Sequence, residues 1–97
     1  MSKDNDAITN PSHYATPSGV EVIDILDELD LSRNLDRSVE YIARSSKKNG
    51  GEDLKKSLFY LIRECVQVYS IDQDVLHTII SESTDKALNP TIKKELR

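Results

Sequence analysis

Apolar positions recur at helical spacing in four segments, separated by polar breaks. Residues 20–30, VEVIDILDELD, place Val22, Ile25, Leu26 and Leu29 on one face and Glu21, Asp24 and Glu28 on the other. Ser18 is in place as an N-cap, with Glu21 as its capping-box partner three residues on. A second helix is predicted from about 34 to 45, with Leu35, Val39 and Ile42 as its stripe and Ser32 as its cap. Arg37, Tyr41 and Arg44 form a second row on it, because side chains three or four apart are neighbours on a helix. The third and longest helix spans 52–69. Its first stripe is Leu54, Leu58, Leu61, Cys65 and Val68, and beside it runs Phe59, Ile62, Val66 and Tyr69. A helix apolar over so wide an arc needs neighbours on two sides, one in its own bundle and one in a second subunit. A shorter helix over 72–83 carries Val75, Leu76, Ile79 and Ile80.

The breaks complete the outline. Residues 10–19, NPSHYATPSG, hold two prolines and a glycine without apolar periodicity, which predicts an extended arm or loop. Gly50-Gly51 separates the second and third helices, and Asn89-Pro90 breaks the C-terminal tail, leaving room for a last turn over 91–96. The expectation is therefore an all-α fold: a small bundle of three to four helices with an extended N-terminal arm. Residues 1–9 are expected to be disordered, 10–83 to form a single helical domain, and 84–97 a polar tail.

Composition narrows the class. The chain has 97 residues, enough for one small domain. Its apolar share is 37%, against roughly 45–50% (glycine included) for ordinary globular chains. A domain so small and so poor in apolar residues is marginal alone, so a homo-oligomer is expected. The formal net charge of −4 gives no electrostatic reason to bind duplex nucleic acid or an anionic membrane. No apolar run approaches the roughly 20 residues that span a bilayer, and MSKDNDAITN has no hydrophobic signal region. A soluble, cytoplasmic protein is expected. The single Cys65 excludes an intramolecular disulfide and a cysteine-based zinc site, and its stripe position reads as a small buried hydrophobe.

Charge is unevenly spread. Residues 21–30 carry Glu21, Asp24, Asp27, Glu28 and Asp30 with no base, while Arg44, Lys47, Lys48, Lys55 and Lys56 crowd 44–56 against Glu52 and Asp53. An acidic helix facing a basic turn can hold a metal and a phosphate together; two solvated faces are the plainer reading. No G-x-x-x-x-G-K-[ST] loop can form, because the glycines stand at 19, 50 and 51. The best substitute cradle is Lys47-Lys48-Asn49-Gly50-Gly51, where N–H groups at a helix start, close backbone approach and the nearby Arg44 all favour an anion. Glu52 and Asp53 then either complement the helix dipole or hold Mg²⁺. Glu21 and Asp24, at i and i+3, are spaced like the Mg²⁺ carboxylates of all-α nucleotide pyrophosphohydrolases, but Lys55 and Lys56 break the second pair that chemistry needs.

The ordered set of short motifs resembles a family of small phage proteins, a domain of formally unknown function often described as phage nucleotide kinases. The opening Asn-Pro-x-His-Tyr is met by Asn10, Pro11, His13 and Tyr14. Gly19, Glu21, Ile23 and Asp24 match the next segment. Asn34, Leu35, Tyr41, Ile42 and Arg44 match part of the third, followed by Lys47, Lys48 and Glu52-Asp53-Leu54-Lys55-Lys56. Tyr60, Leu61, Arg63 and Glu64 close it. The likeness covers about residues 10–65. Asp36, Glu40 and Phe59 depart from the usual Gly, Lys and Trp.

The resemblance implies nucleotide handling, most concretely Mg²⁺-dependent phosphoryl transfer from ATP to deoxynucleoside monophosphates without a P-loop. It implies catalytic roles for His13, Arg44, Lys47 and Lys48. Nucleotide contacts are expected from Asn10, His13, Tyr14, Tyr41, Arg44, Lys47, Lys48, Gly50, Gly51, Tyr60 and Arg63, and metal contacts from Glu52, Asp53, Glu21 and Asp24. His13 and Tyr14 would form a lid, while Tyr41 and Tyr60 would stack a base; partial core is the alternative for the two helical tyrosines. The rival functions are a non-catalytic nucleotide binder that captures host immune signals, an all-α pyrophosphohydrolase and a protein adaptor.

Overall fold

The computed structural model describes residues 14–89. Four helices follow one another: α1 Val22–Leu29, α2 Arg33–Ser45, α3 Gly51–Gln67 and α4 Gln73–Leu88. The all-α expectation holds. The chain divides into two compact units, with the boundary after Glu64. The predicted disorder of 1–9 and the last turn over 91–96 lie outside the described residues.

The start of α1 differs from expectation. Ser18 does not cap it; its hydroxyl lies 3.0 Å from Thr16 Oγ1, and Glu21 occupies the N-cap position with no side-chain cap bond. Residues 14–22 double back instead of extending. Thr16 N–H donates to Val20 O, Gly19 N–H to Thr16 O and Val22 N–H to Tyr14 O, while Ala15 and Glu21 form an antiparallel bridge. Gly19 closes this turn at φ +91, a conformation that costs a residue without a Cβ little. The return places Tyr14 in the core, buried with Val22 and Leu26 and backed by Leu31, Val39 and Ala43. Asp30, at φ 52, ends α1 by donating its N–H to Leu26 O.

Ser32 caps α2 as predicted, accepting the Leu35 N–H at 3.3 Å. The two helices α2 and α3 then form an antiparallel pair, fixed by polar contacts at successive levels. At one end Ser32 Oγ donates to Glu64 Oε1 at 2.8 Å, and Asn34 Nδ2 lies 3.4 Å from the same oxygen. At mid-height the hydroxyls of Ser38 and Ser57 are 2.8 Å apart, and each also lies 2.9 Å from the other serine's carbonyl oxygen. At the far end Arg44 Nε meets Asp53 Oδ2 at 3.4 Å.

This seam overturns the expected core of α3. Asp53, Ser57 and Glu64 are its buried residues, whereas Leu54, Leu58, Phe59 and Leu61 are exposed, Phe59 by 57%. Cys65 is half-buried rather than buried. Serine is small enough to bring two helix backbones close, and that close contact selects the polar face. In the second unit, α4 runs to Leu88 rather than 83, starts at an Asp72 cap that accepts from Asp74 N–H, and buries Leu76.

Candidate functional site

The basic turn is built tightly. Lys47 and Lys48 N–H both donate to Arg44 O, Gly50 N–H to Ser45 O, Glu52 N–H to Asn49 O, and Asn49 N–H to the Asp53 carboxylate at 3.4 Å. Of the 47–51 stretch expected to cradle an anion, the N–H groups of Lys47, Lys48, Asn49 and Gly50 are thus spent on the turn itself, as is that of Glu52. Gly50 takes φ +47, which lets the chain reverse into α3. Lys47 Nζ folds back over the Tyr14 ring, 5.9 Å from its centroid, and donates to Ala15 O at 3.4 Å. So Tyr14 and Lys47 are brought together as a latch between the arm and the turn, and Lys48 is exposed. The Tyr14 hydroxyl is buried without a hydrogen-bond partner among the described residues.

The four expected metal ligands are dispersed by environment. Asp53 is fully buried (0% exposed) against Arg44, with its Oδ1 unpartnered. Glu52, its neighbour, is exposed and paired with Lys55 at 2.6 Å. That hydrogen bond and charge hold the Glu52 carboxyl below the usual value. Glu21 and Asp24 stand at the start of α1. Among the described residues, no group of three histidine, cysteine or carboxylate side chains converges as a metal-ligand set. Asn10 and His13 lie outside the described residues.

A second locus lies on the outer side of the α2–α3 pair. Tyr41 and Tyr60 stack with ring planes within 7° of parallel and centroids 6.0 Å apart. Phe59 meets Tyr60 edge-on at 5.2 Å, and Lys56 Nζ sits 5.4 Å over the Tyr41 ring. These residues, with Lys55 and Glu52, line a cavity of about 370 Å³. Chemically this is a set of π-faces edged by cations, suited to a planar ring that carries negative charge. Tyr41 and Tyr60 were legible from the sequence; Lys55, Lys56 and Phe59 as lining residues were not, because that needs the register of α2 against α3.

On the other side of Tyr60 is a cavity of about 290 Å³ lined by Arg33, Asn34, Arg37, Tyr60 and Arg63. Of these, Tyr60 and Arg63 were expected at a site. Arg37 stands out in the sequence only as a member of a helical row, and Arg33 carries no signal by itself. The signal was present in the i, i+4 spacing of Arg33 and Arg37, but nothing in the sequence opposes Arg63 to them until the helices pair.

Neither curated proteins nor solved structures return a match to this chain. Residues 8–62, more than half of the chain and all of the segment from the Tyr14 turn to Tyr60, match a family described as a protein of unknown function, DUF3310. With its latch, polar seam and aromatic cleft all inside or bordering that stretch, the chain belongs to the DUF3310 family.

Proposed function

We propose that this protein handles nucleotides, with the base laid against the paired rings of Tyr41 and Tyr60. The observation that supports this most is the near-parallel pair of rings over a cavity edged by Lys55 and Lys56. Base–aromatic stacking contributes roughly 1–3 kcal/mol per base, and the lysines add charge complementarity to a phosphate. The activity we assign is phosphoryl transfer from ATP to a deoxynucleoside monophosphate, in the cytoplasm of the host. Such chemistry rests on positioning and charge neutralisation rather than on covalent steps. Mg²⁺ ordinarily reaches such sites on the nucleotide's own phosphates with one or two protein carboxylates, and Glu52 is the carboxylate in the cleft.

Capture without turnover is the second reading. It is favoured by the burial of Arg44 and Asp53 against each other, which commits one expected catalytic group and one expected metal ligand to the fold. A homo-oligomer accompanies either reading. Leu54, Leu58 and Leu61 follow the 4-3 spacing of a helix-pairing seam, and each is about half exposed. We assign that face to α3 of a second copy.

The test is a turnover assay with Mg²⁺, ATP and each deoxynucleoside monophosphate in turn, with products separated directly. Phosphoryl transfer predicts a diphosphate product that vanishes on chelation and in a Tyr41→Ala/Tyr60→Ala variant. Capture predicts no product but protection against thermal unfolding by nucleotide, lost in the same variant. Neither product nor protection would overturn the nucleotide reading.

A further inference from the structure

We infer that the cavity between Arg33, Arg37 and Arg63 is a phosphate-chain subsite, which takes the polyphosphate of a nucleotide whose base lies on the far side of Tyr60. This deepens the nucleotide reading and rests on it for the identity of the ligand, though not for its charge. Three guanidinium side chains line one cavity, and no carboxylate is among its lining residues. Arg33 and Arg37 are four apart on α2, a spacing at which like charges repel, and α3 brings a third to face them. Among the described residues neither Arg33 nor Arg37 forms an ion pair. Of the carboxylates nearby, Glu64 is buried with Ser32 and Asn34 on its Oε1, while Glu40, buried one turn along α2, feels the Arg37 charge without forming an ion pair with it.

Such a constellation suits an anion with several oxygens. Guanidinium presents a fixed fork of donors that matches phosphate in a bidentate manner, and Arg holds its charge at any physiological pH. The amide of Asn34 and the first turn of α2, whose dipole favours negative charge, add to the same side. Size agrees as well. Ligand cavities run from roughly 300 to 1,000 Å³, and the two cavities here are about 370 and 290 Å³ with Tyr60 as a shared wall. A nucleoside polyphosphate laid across Tyr60 fills both, its base against Tyr41 and its phosphates among the arginines.

The experiment uses the full chain and two probes, inorganic tripolyphosphate and ATP, read by titration calorimetry and by thermal unfolding. Arg33→Gln/Arg37→Gln is the test variant, since Arg33 is exposed and Arg37 half-buried, and its circular dichroism checks that it folds. Lys47→Ala/Lys48→Ala is the comparison. Tripolyphosphate is expected to bind and stabilise the natural chain, with affinity at least tenfold lower in the arginine variant and unchanged in the lysine variant. Failure of tripolyphosphate to bind, or loss of its binding only in the lysine variant, overturns the subsite. If ATP still binds in that case, the nucleotide reading survives alone. If tripolyphosphate binds through the arginines and ATP binds no tighter, the subsite stands and the base cleft falls.

Discussion

The two faces of α3 make an instructive pair. One face, Asp53, Ser57 and Glu64, is polar and buried; the other, Leu54, Leu58 and Leu61, is apolar and about half exposed. Ordinary amphipathic packing would have it the other way round. The inversion works because each of these three residues meets a partner at a defined height along α2, Asp53 with Arg44, Ser57 with Ser38, and Glu64 with Ser32 and Asn34, although Asp53 Oδ1 stays without one. Buried polar groups so matched fix register and geometry rather than adding much net stability. In this unit, then, specificity comes from the seam, and the apolar face is left as surface for something else.

The comparison breaks most severely at Asp53. Asp53→Ala leaves the Arg44 guanidinium, only 14% exposed, without its counter-charge. Removal of one partner from a buried pair costs about 3–5 kcal/mol, a large fraction of the stability of a domain this size. The expected outcome is a chain unfolded or strongly destabilised in urea. Replacing both partners with apolar residues, Arg44→Met with Asp53→Leu, should recover most of the loss. If the single variant is as stable as the natural chain, the seam is not what holds α2 and α3 in register.

A graded version sets adjacent residues against each other. Ser57→Leu inserts a large side chain where two serine hydroxyls are 2.8 Å apart, and overpacking of this kind costs about 1–3 kcal/mol. Leu58→Ser, one position away and 47% exposed, should change folding stability by no more than ~0.5 kcal/mol at concentrations where the chain is monomeric. Its effect should be on assembly instead, seen as a fall in sedimentation coefficient at micromolar concentration. Equal unfolding midpoints for the two variants would erase the distinction between the faces.

These contrasts show what the sequence made legible. The four helices, the Ser32 cap and the break at Gly50 follow from local spacing and turn chemistry, with α4 running five residues past its expected end and Gly51 already opening α3. The buried side of α3 was not, because periodicity reports that a helix has two faces without saying which one a partner covers. Ser38 and Ser57 carry no signal separately; only when paired do they bring the helices close. The same holds at the candidate site. Tyr41 and Tyr60 stood out as aromatic residues on helices, but their stacking and the convergence of Arg33, Arg37 and Arg63 depend on a register that those serines set. Ser18 misled because a capping box is a local pattern, and the Tyr14–Val22 backbone return competed with it and won.

The smallest effect concerns the charge on the seam's edge. Glu40 is buried, and loss of solvation raises its carboxyl above the ordinary 4.5; Arg37 pulls the other way, and Asp36 adds to the rise. A carboxyl raised in the folded state binds protons more tightly there than in the unfolded chain. Its contribution is therefore most favourable below the unfolded value and is lost as pH climbs through the folded one. Glu40→Gln removes that ionisation, so the variant should be more stable than the natural chain at pH 7, and the advantage should disappear below about pH 4. Urea midpoints measured across that range check it. An advantage independent of pH would mean that the glutamine gains from packing or hydrogen bonding, and that burial of a charge beside Arg37 is not what the natural residue tolerates. If instead the variant is less stable at pH 7, the ionised Glu40 is a working partner of Arg37. The arginine cavity would then be partly neutralised from behind, and its affinity for tripolyphosphate should rise in the same variant.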